Sequence, residues 1–240
     1  MQMEGQIRIN KYLSEAGVCS RREADRQIEK GAVTINGRTA AMGDKVAPGD
    51  LVMYGNQRVS PEGEAILLAV NKPPGIVCTS EKRESDNIVD FLGYPKRVYP
   101  IGRLDKTSHG LILMTNQGEI ANQIMRSRNY HEKEYIVKVN KDISENFLKN
   151  MSGGVYLEEL DATTRPCTVE RVGRRAFRII LTQGLNRQIR RMCEQFEYRV
   201  MDLKRVRIMN IRLGDLKEGA YRRVEGKELE ELLAQLPNTP

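Results

Sequence analysis

Apolar and polar residues alternate along this chain with two periods, and the places where the period changes divide it into elements. From Ile7 to Ala16 the apolar positions Ile9, Leu13 and Ala16 fall on one side of a helix that Gly17 ends. A second helix starts at Ser20-Arg-Arg-Glu23, a capping box in which the serine hydroxyl and the glutamate carboxylate satisfy each other's backbone N–H groups, and Gly31 stops it. Two short alternating runs then flank Asn36-Gly37, a dipeptide suited to a hairpin turn, and turns at Gly43-Asp44 and Pro48-Gly49-Asp50 lead into a strand over Leu51 to Tyr54. The stretch around Ser60-Pro61 and Gly63 is polar and reads as a hinge. The pattern predicts a small domain over 1–58, a linker at 59–65 and a larger domain over 66–240.

The larger domain opens with a wholly apolar run, Ile66 to Val70, which predicts a central strand broken by Asn71-Lys-Pro-Pro-Gly75. A short helix follows at Ile88 to Leu92 with Asp86 as its candidate cap. The stretch Ile101 to Gly118 is a polar loop, an apolar strand at Leu111 to Met114 and a turn; a helix over Glu119 to Met125 then turns Ile120, Ile124 and Met125 inward. In the next strand Tyr135, Val137 and Val139 share one face while Ile136 and Lys138 share the other. A helix over Ile143 to Met151 and strands over Thr163 to Arg171 and Ala176 to Thr182 come next. Gln183-Gly-Leu-Asn186 opens a helix that Asn186 can cap, with Ile189, Met192, Cys193 and Phe196 facing inward. A basic strand, Lys204 to Arg212, precedes a last helix, Lys227 to Leu236, with Leu229, Leu232, Leu233 and Leu236 on its core side. Strands and helices at unequal spacing predict an α+β fold: a mixed, largely antiparallel sheet with helices packed on it.

Composition narrows the class of function. No apolar run approaches the ~20 residues of a membrane span, the N-terminus is polar, and a cytoplasmic protein without a membrane partner is expected. Cys19, Cys78, Cys167 and Cys193 lie far apart and His109 and His131 are the only histidines, so no metal-ligand spacing exists and reduced thiols are expected. The formal net charge of +7 suits a phosphate-rich partner. It is concentrated: residues 187–207 hold 7 basic side chains against 3 acidic, while residues 1–60 hold 9 against 7.

Candidate chemistry is confined to a few places. Asp105 stands in a polar loop between Arg103 and Lys106, ahead of an apolar strand; on residue type alone such an aspartate is a turn residue. Arg187, Arg190 and Arg191 crowd the first turns of a helix whose N-terminal dipole repels them, which favours an anion supplied from outside the helix or from another element. Tyr135 begins its strand. In the small domain Arg22, Arg26 and Lys30 share a helix face, and Arg8, Lys11, Arg21 and Arg22 crowd the turn between the helices. His109 is read as a loop-surface residue and not as a general base.

The segments Arg8-x-Asn-Lys-Tyr-Leu, Cys19-Ser-Arg-Arg-Glu-Ala and Gly31-x-Val-x-Ile-Asn-Gly resemble the alpha-L RNA-binding module first seen in ribosomal protein S-four. Beyond it, Gly102-Arg-Leu-Asp105, Gly110-Leu-x-Leu-x-Thr-Asn116, Lys133-Glu-Tyr135 and Gly184-x-Asn-Arg-Gln-Ile-Arg190-Arg-Met resemble, in order, the motifs of the RsuA branch of the RNA pseudouridine synthases. Lys96-Arg-Val-Tyr-Pro, His131-Glu and Arg207-Ile-Met-Asn are most similar to the large-subunit rRNA enzymes of that branch.

The resemblance implies a pseudouridine synthase fold behind an RNA-binding module, and isomerisation of uridine in RNA without metal or cofactor. It implies a structured large-subunit rRNA stem-loop as substrate, a tRNA anticodon arm as a second, and a monomer. Carried over by position, Asp105 is the catalytic aspartate, Tyr135 stacks on the target base and assists proton removal, and Arg190 partners Asp105. Arg103 fills the helix where the base has left, Ile189 is the apolar contact beside the base, and Lys106, Arg187 and Arg191 complete the substrate contacts. Arg8, Lys11, Arg21, Arg22, Arg26 and Lys30 form the RNA surface of the small domain. A base reached by flipping costs a few kcal/mol to unstack, which stacking and backbone contacts must offset. An aspartate that attacks the anomeric carbon or takes a sugar proton must be ionised, and a paired cation keeps a desolvated one so. Gln117 departs from the aspartate common in the branch, a difference in the turn. The alternative is a non-catalytic RNA-binding or ribosome-assembly protein of the same fold; a metal-dependent nuclease would need clustered carboxylates, which the sequence around Asp105 lacks.

Overall fold

The first helix starts later than its apolar pattern suggests, because Ile7–Arg8 forms a short strand, β1, paired with Lys45–Val46, β4. Arg8 keeps an extended ψ of 136° and offers no capping side chain, so helix α1 runs over Ile9–Glu15. The computed structural model describes residues 5–237 apart from Glu62 and Lys82. Helix α2 spans Arg21–Glu29, and Ser20 accepts from the Glu23 N–H at 3.2 Å. Only that arm of the capping box forms: the Glu23 carboxylate accepts from Gln27 and pairs with Arg26.

The hairpin of β2, Val33–Ile35, and β3, Arg38–Thr39, turns through Asn36 at φ 51° and Gly37 at φ 81°. Both lie in the left-handed region that such a two-residue turn requires. Strands β5, Val52–Tyr54, and β6, Gln57–Val59, complete this sheet, and Ile9, Leu13, Ala24, Ile28, Val33 and Val52 close a core beneath it.

Two units emerge from the contacts. One extends to Ala65 and includes Pro95–Arg97 and Asn116–Gly118; the other takes Ile66–Tyr94, Val98–Thr115 and the chain from Glu119 onward. The second begins with β7, Leu67–Lys72, which continues past its apolar run through Asn71 and Lys72. Helix α3, Ile88–Leu92, is capped by Asn87 and not Asp86: the Asn87 side-chain oxygen accepts from the Asp90 N–H at 2.9 Å. Next come β8, Tyr99–Ile101, β9, His109–Thr115, α4, Gly118–Met125, β10, Lys133–Val139, and α5, Glu145–Ser152 with Ser144 as its cap. A small hairpin of β11, Tyr156–Leu157, and β12, Ala162–Thr163, leads to β13, Thr168–Gly173, and β14, Ala176–Leu181. Helix α6 is Gln188–Glu194, followed by β15, Val200–Ile208, β16, Ile211–Arg212, β17, Tyr221–Arg223, and α7, Gly226–Ala234.

Nine strands form one sheet in the order β13-β14-β10-β15-β9-β7-β17, with β16 on β15 and β8 on β9. Every pairing in it is antiparallel except β15 with β9, so the sheet is mixed and largely antiparallel, as the spacing predicts. Two cores form within the unit. One joins Val70, Ile112, Tyr135, Val137, Phe177, Ile189 and Met192; the other joins Ala69, Leu111, Leu113, Ile124, Ile208, Met209 and Leu232. Alternate residues of β9 enter different cores, which is the two-residue period of a strand covered on both faces. Met125 and Leu233 stay exposed instead of facing inward, since the buried stripe of α7 passes through Leu229, Leu232 and Leu236. Among the described residues no helix is long and apolar enough to cross a membrane.

The parallel pairing depends on one glycine. Gly110 sits opposite Arg205 at φ +100°, and a Cβ there would lie 2.3 Å from the Arg205 carbonyl oxygen. Gly110→Ala is expected to lower stability by about 3 kcal/mol, from left-handed strain plus backbone overlap. Urea denaturation measures this; a loss below about 1 kcal/mol would show that the strands separate freely there.

Candidate active site

The Asp105 loop leaves β8 and returns through β9, and the pairing of β9 with β15 places it beside basic residues of that strand. Gly102, at φ +75°, starts the loop, and the Ser108 N–H closes a turn on the Asp105 carbonyl at 3.0 Å. The loop is also tied to the end of β7. The Gly75 N–H donates to the Lys106 carbonyl at 2.7 Å, and the Lys72 ammonium donates to Pro73 O at 2.7 Å and Lys106 O at 3.4 Å.

Arg190 of α6 reaches this loop from across the fold. Its Nη2 donates to Ser108 Oγ at 3.1 Å and Thr107 Oγ1 at 3.2 Å, and its Nη1 donates to Val200 O at 3.4 Å. These contacts hold Nε 3.7 Å from Asp105 Oδ2, an ion-pair distance without a hydrogen bond. The Asp105 side chain is 35% exposed and that of Arg190 12%, so a cation fixed by neutral partners faces a carboxylate that solvent can still reach. A pair this open adds little to stability; its consequence is where it holds the carboxylate.

Arg205 ties the loop to the aromatic. It is 3% exposed, donates through Nε to Leu111 O at 2.6 Å and through Nη1 to Arg103 O at 3.4 Å, and its guanidinium carbon lies 6.0 Å from the centre of the Tyr135 ring. Tyr135 is opposite Arg205 on β10 and shares its core with Ile189 and Leu104. Positive charge is crowded here. Burial first, then the Arg205 guanidinium, push the Lys133 ammonium down to about 8, and burial lowers wholly buried Lys72 as well.

The expected site residues thus divide. Asp105 and Arg190 meet, Tyr135 and Ile189 line one core, and Arg103 is exposed with no side-chain partner among the described residues. Lys106 already pairs with Asp86 at 3.2 Å and Glu84 at 3.8 Å. Arg191 turns to the Asn186 carbonyl and side-chain oxygens and to Glu159. Asn186 is therefore not the cap of α6; exposed Arg187 occupies the N-cap position at φ 51° without a side-chain cap bond, while the Gln188 side chain accepts from the Leu185 N–H at 3.1 Å. His109 is not a loop-surface residue either: it opens β9, half-buried, with Nε2 2.8 Å from Asp202 Oδ1.

Sequence reasoning passed over Lys72, Lys133 and Arg205. A signal existed for Arg205, which stands two positions after core residue Leu203 and so points the same way. None existed for Lys72, which reads as the polar end of an apolar strand. In the small unit Arg8, Arg21, Arg22, Arg26 and Lys30 are exposed or nearly so, and Lys11 is half-buried, 3.6 Å from Glu15.

The family model of RNA pseudouridylate synthase matches residues 66–195, more than half of the chain. The chain belongs to the RNA pseudouridine synthase family. A second model, the S4 domain, matches residues 7–52 of this synthase. The dual-specificity RNA pseudouridine synthase RluF of Escherichia coli (strain K12) is 50% identical over 241 residues, covering 100% of this chain and 82% of its own length. The ribosomal large subunit pseudouridine synthase B of Bacillus subtilis (strain 168) is 32% identical, with 95% of this chain and 96% of the relative covered. A solved pseudouridylate synthase superposes with a TM-score of 0.69 at 27% identity, covering 94% of this chain and 99% of its own. The synthase isomerises uridine to pseudouridine in RNA, and its S4 domain is an RNA-binding module.

Proposed function

We propose that Asp105 carries out the bond exchange on a flipped-out uridine, with Arg190 as its fixed cation and Tyr135 as the stacking partner of the base. The Arg190–Asp105 approach at 3.7 Å carries this reading, because Thr107 and Ser108 hold the guanidinium in place. Isomerisation breaks the bond from N1 of the base to the sugar, turns the base and joins C5 to the same sugar carbon; the proton lost from C5 is matched by one gained at N1, so the formula is unchanged. Asp105 supplies the anion for the first break, either by attack on the anomeric carbon or by taking a sugar proton. Preorganisation of that anion by a fixed dipole and charge lowers the barrier without reorganisation in the reaction itself. Tyr135 stacks on the freed base and assists loss of the C5 proton, with Ile189 as the apolar contact beside it.

Exposed and unpartnered among the described residues, Arg103 is suited to fill the gap left by the flipped base, and Arg187 to contact the RNA backbone. Lys106 and Arg191 join by exchanging their present carboxylate partners for phosphate. The substrate we favour is a structured stem-loop of large-subunit rRNA with a tRNA anticodon arm as the second, acted on by a cytoplasmic monomer. The names of the relatives, a dual-specificity RNA pseudouridine synthase and a ribosomal large subunit pseudouridine synthase, support the substrate choice. Carbodiimide treatment and primer extension of 23S rRNA and tRNA incubated with the enzyme tests it: new stops are expected in both, and stops in neither would overturn it.

Arg8, Lys11, Arg21, Arg22, Arg26 and Lys30 form the docking face of the S4 domain in this reading. Replacing Arg21, Arg22 and Arg26 together by Ala is expected to weaken RNA binding and to reduce the salt slope by up to about 3 contacts' worth of counterions. An unchanged slope across a salt titration would exclude these three from the interface.

A further inference from the structure

At the start of β10, on the side of the sheet away from Tyr135, lies a cavity of about 640 Å³ that the proposed chemistry does not use. Tyr130, His131, Glu132, Arg207, Arg212 and Gln235 are among its lining residues. Its face of the sheet is fixed by two facts: Met209, also in its wall, belongs to the core opposite that of Tyr135, and Arg207 is held by Glu134, which alternates with Tyr135 along the strand.

The wall is chemically built. His131 is 8% exposed, the Gln123 backbone carbonyl favours a ring N–H beside it, and Nε2 has no hydrogen-bond partner among the described residues. A buried ring nitrogen left as an acceptor at a cavity wall needs a donor from what enters the cavity. Burial, and then the Lys133 ammonium, lower the ring's pKa and so favour its neutral form, which has one acceptor nitrogen. Gln235 gives both its N–H bonds to Asn210 and the Glu231 carbonyl, so its oxygen also remains an acceptor. Tyr130 is 59% exposed at φ 54°, with the Arg165 guanidinium 4.1 Å from its ring centre.

Charge within is close to balanced. Arg207 is consumed by Glu132 at 2.9 Å, Glu134 at 2.7 Å and Met209 O at 2.8 Å, and Glu231 pairs with Lys227 at 3.8 Å. Exposed Arg212 has no side-chain partner among the described residues. An aromatic face, inward acceptors and one unpaired cation match a nucleotide: base on tyrosine, base donors on the acceptors, phosphate on arginine.

We propose that this cavity is a second nucleotide site, which takes an unpaired nucleotide of the substrate RNA, outside the target uridine, whose base presents an exocyclic amine. His131 stands four residues before Tyr135, about 13 Å along extended chain. RNA that delivers uridine to the Tyr135 face reaches the second site over the end of the sheet where β10 begins. The proposal rests on the family's reaction on RNA and on the placement of the target base at Tyr135.

The test uses the full chain and a 23S rRNA stem-loop that the wild-type enzyme converts; absence of conversion by wild type would count against the substrate reading and not against this one. Tyr130→Ala is expected to raise KM about tenfold while the single-turnover rate at saturating RNA stays within about twofold. His131→Phe, which keeps a ring but removes the acceptor, is expected to raise KM only while the bound base keeps its amine. In an abasic scan of the stem-loop, one position outside the target should raise the wild-type KM equally and add nothing in Tyr130→Ala. Exposed Tyr130 can be replaced without disturbing the core, so it gives the answer even where the buried His131 variant is unstable. A KM unchanged in Tyr130→Ala, a collapse of the saturating rate in its place, or abasic losses that multiply with Tyr130→Ala at every position would each overturn the proposal. Adenosine 5′-monophosphate separates the two sources of a nucleotide: competition with RNA that disappears in Tyr130→Ala supports the proposal, whereas tight binding without effect on RNA turnover assigns the cavity to free nucleotide and overturns it.

Discussion

Asp105→Asn is expected to lower single-turnover pseudouridine formation by about 10⁴-fold or more, equivalent to about 5 kcal/mol of lost transition-state stabilisation. The amide has the size and shape of the carboxylate, and the loop turn at this position uses the Asp105 backbone carbonyl, so the loop survives. An amide can neither attack the sugar carbon nor take a proton at neutral pH, so it fails in either of the two roles proposed for the carboxylate. RNA affinity should stay within about threefold, since the variant alters none of the basic residues proposed to contact phosphate. Rates from carbodiimide-primer extension, together with filter binding of the same RNA, give both quantities. Turnover reduced less than about tenfold would remove Asp105 from the chemistry and leave the turn role that its residue type suggests.

Arg190→Met should cost about 10³-fold in the same assay, about 4 kcal/mol. The substitution removes the cation 3.7 Å from Asp105 and also releases Thr107, Ser108 and the Val200 carbonyl, so the loop loses both charge and position. Arg190→Lys separates those effects. A lysine restores the charge but cannot make the forked contact with two hydroxyls, so it should recover part of the rate. Equal losses in Met and Lys would mean that the fork alone matters. Near wild-type activity in Arg190→Met would exclude the ion pair from catalysis. The saturating rate, more than KM, should fall in both variants if Arg190 acts through the Asp105 loop, as proposed, and not through the RNA surface.

These expectations join residues far apart in the chain, and most of their partners are invisible to local pattern. Helix periodicity predicts α4, α6 and α7 to within a few residues, because a stripe of apolar side chains spaced for 3.6 residues per turn has one way to be buried, and the Ser20 cap and Gly31 stop bound α2. The Asn36-Gly37 turn was equally legible, since its geometry demands residues tolerant of positive φ. Caps were less so, and the starts of α3 and α6 illustrate why. Asp86 and Asn87 are both good capping residues, and which one is used depends on how α3 is entered. Helix α6 is entered through Arg187 at φ 51°, and Asn186 is left to hold Arg191.

The family is carried by short polar motifs, and the residues proposed for the chemistry, Asp105 in its loop, Tyr135 at a strand start and Arg190 after Ile189, are fixed in type and order by the chain. Sequence also determined the two covered faces of the sheet, through near-continuous apolar strands such as Leu111 to Met114. What only the tertiary structure decided is which charges are desolvated. Lys133 and Arg205 look like solvated basic residues in charged stretches and Lys72 like the polar end of an apolar strand, yet Lys72 is wholly buried and Arg205 is bound to two backbone carbonyls. The burial of Lys72 follows from the antiparallel meeting of β7 with β9 at Gly110, and that of Arg205 from the parallel meeting of β15 with β9 at the same glycine, pairings between distant segments that no local period encodes. The same pairing sets Arg205 between the Asp105 loop and Tyr135, because long-range strand register, and not composition, chooses which side chains share a desolvated space.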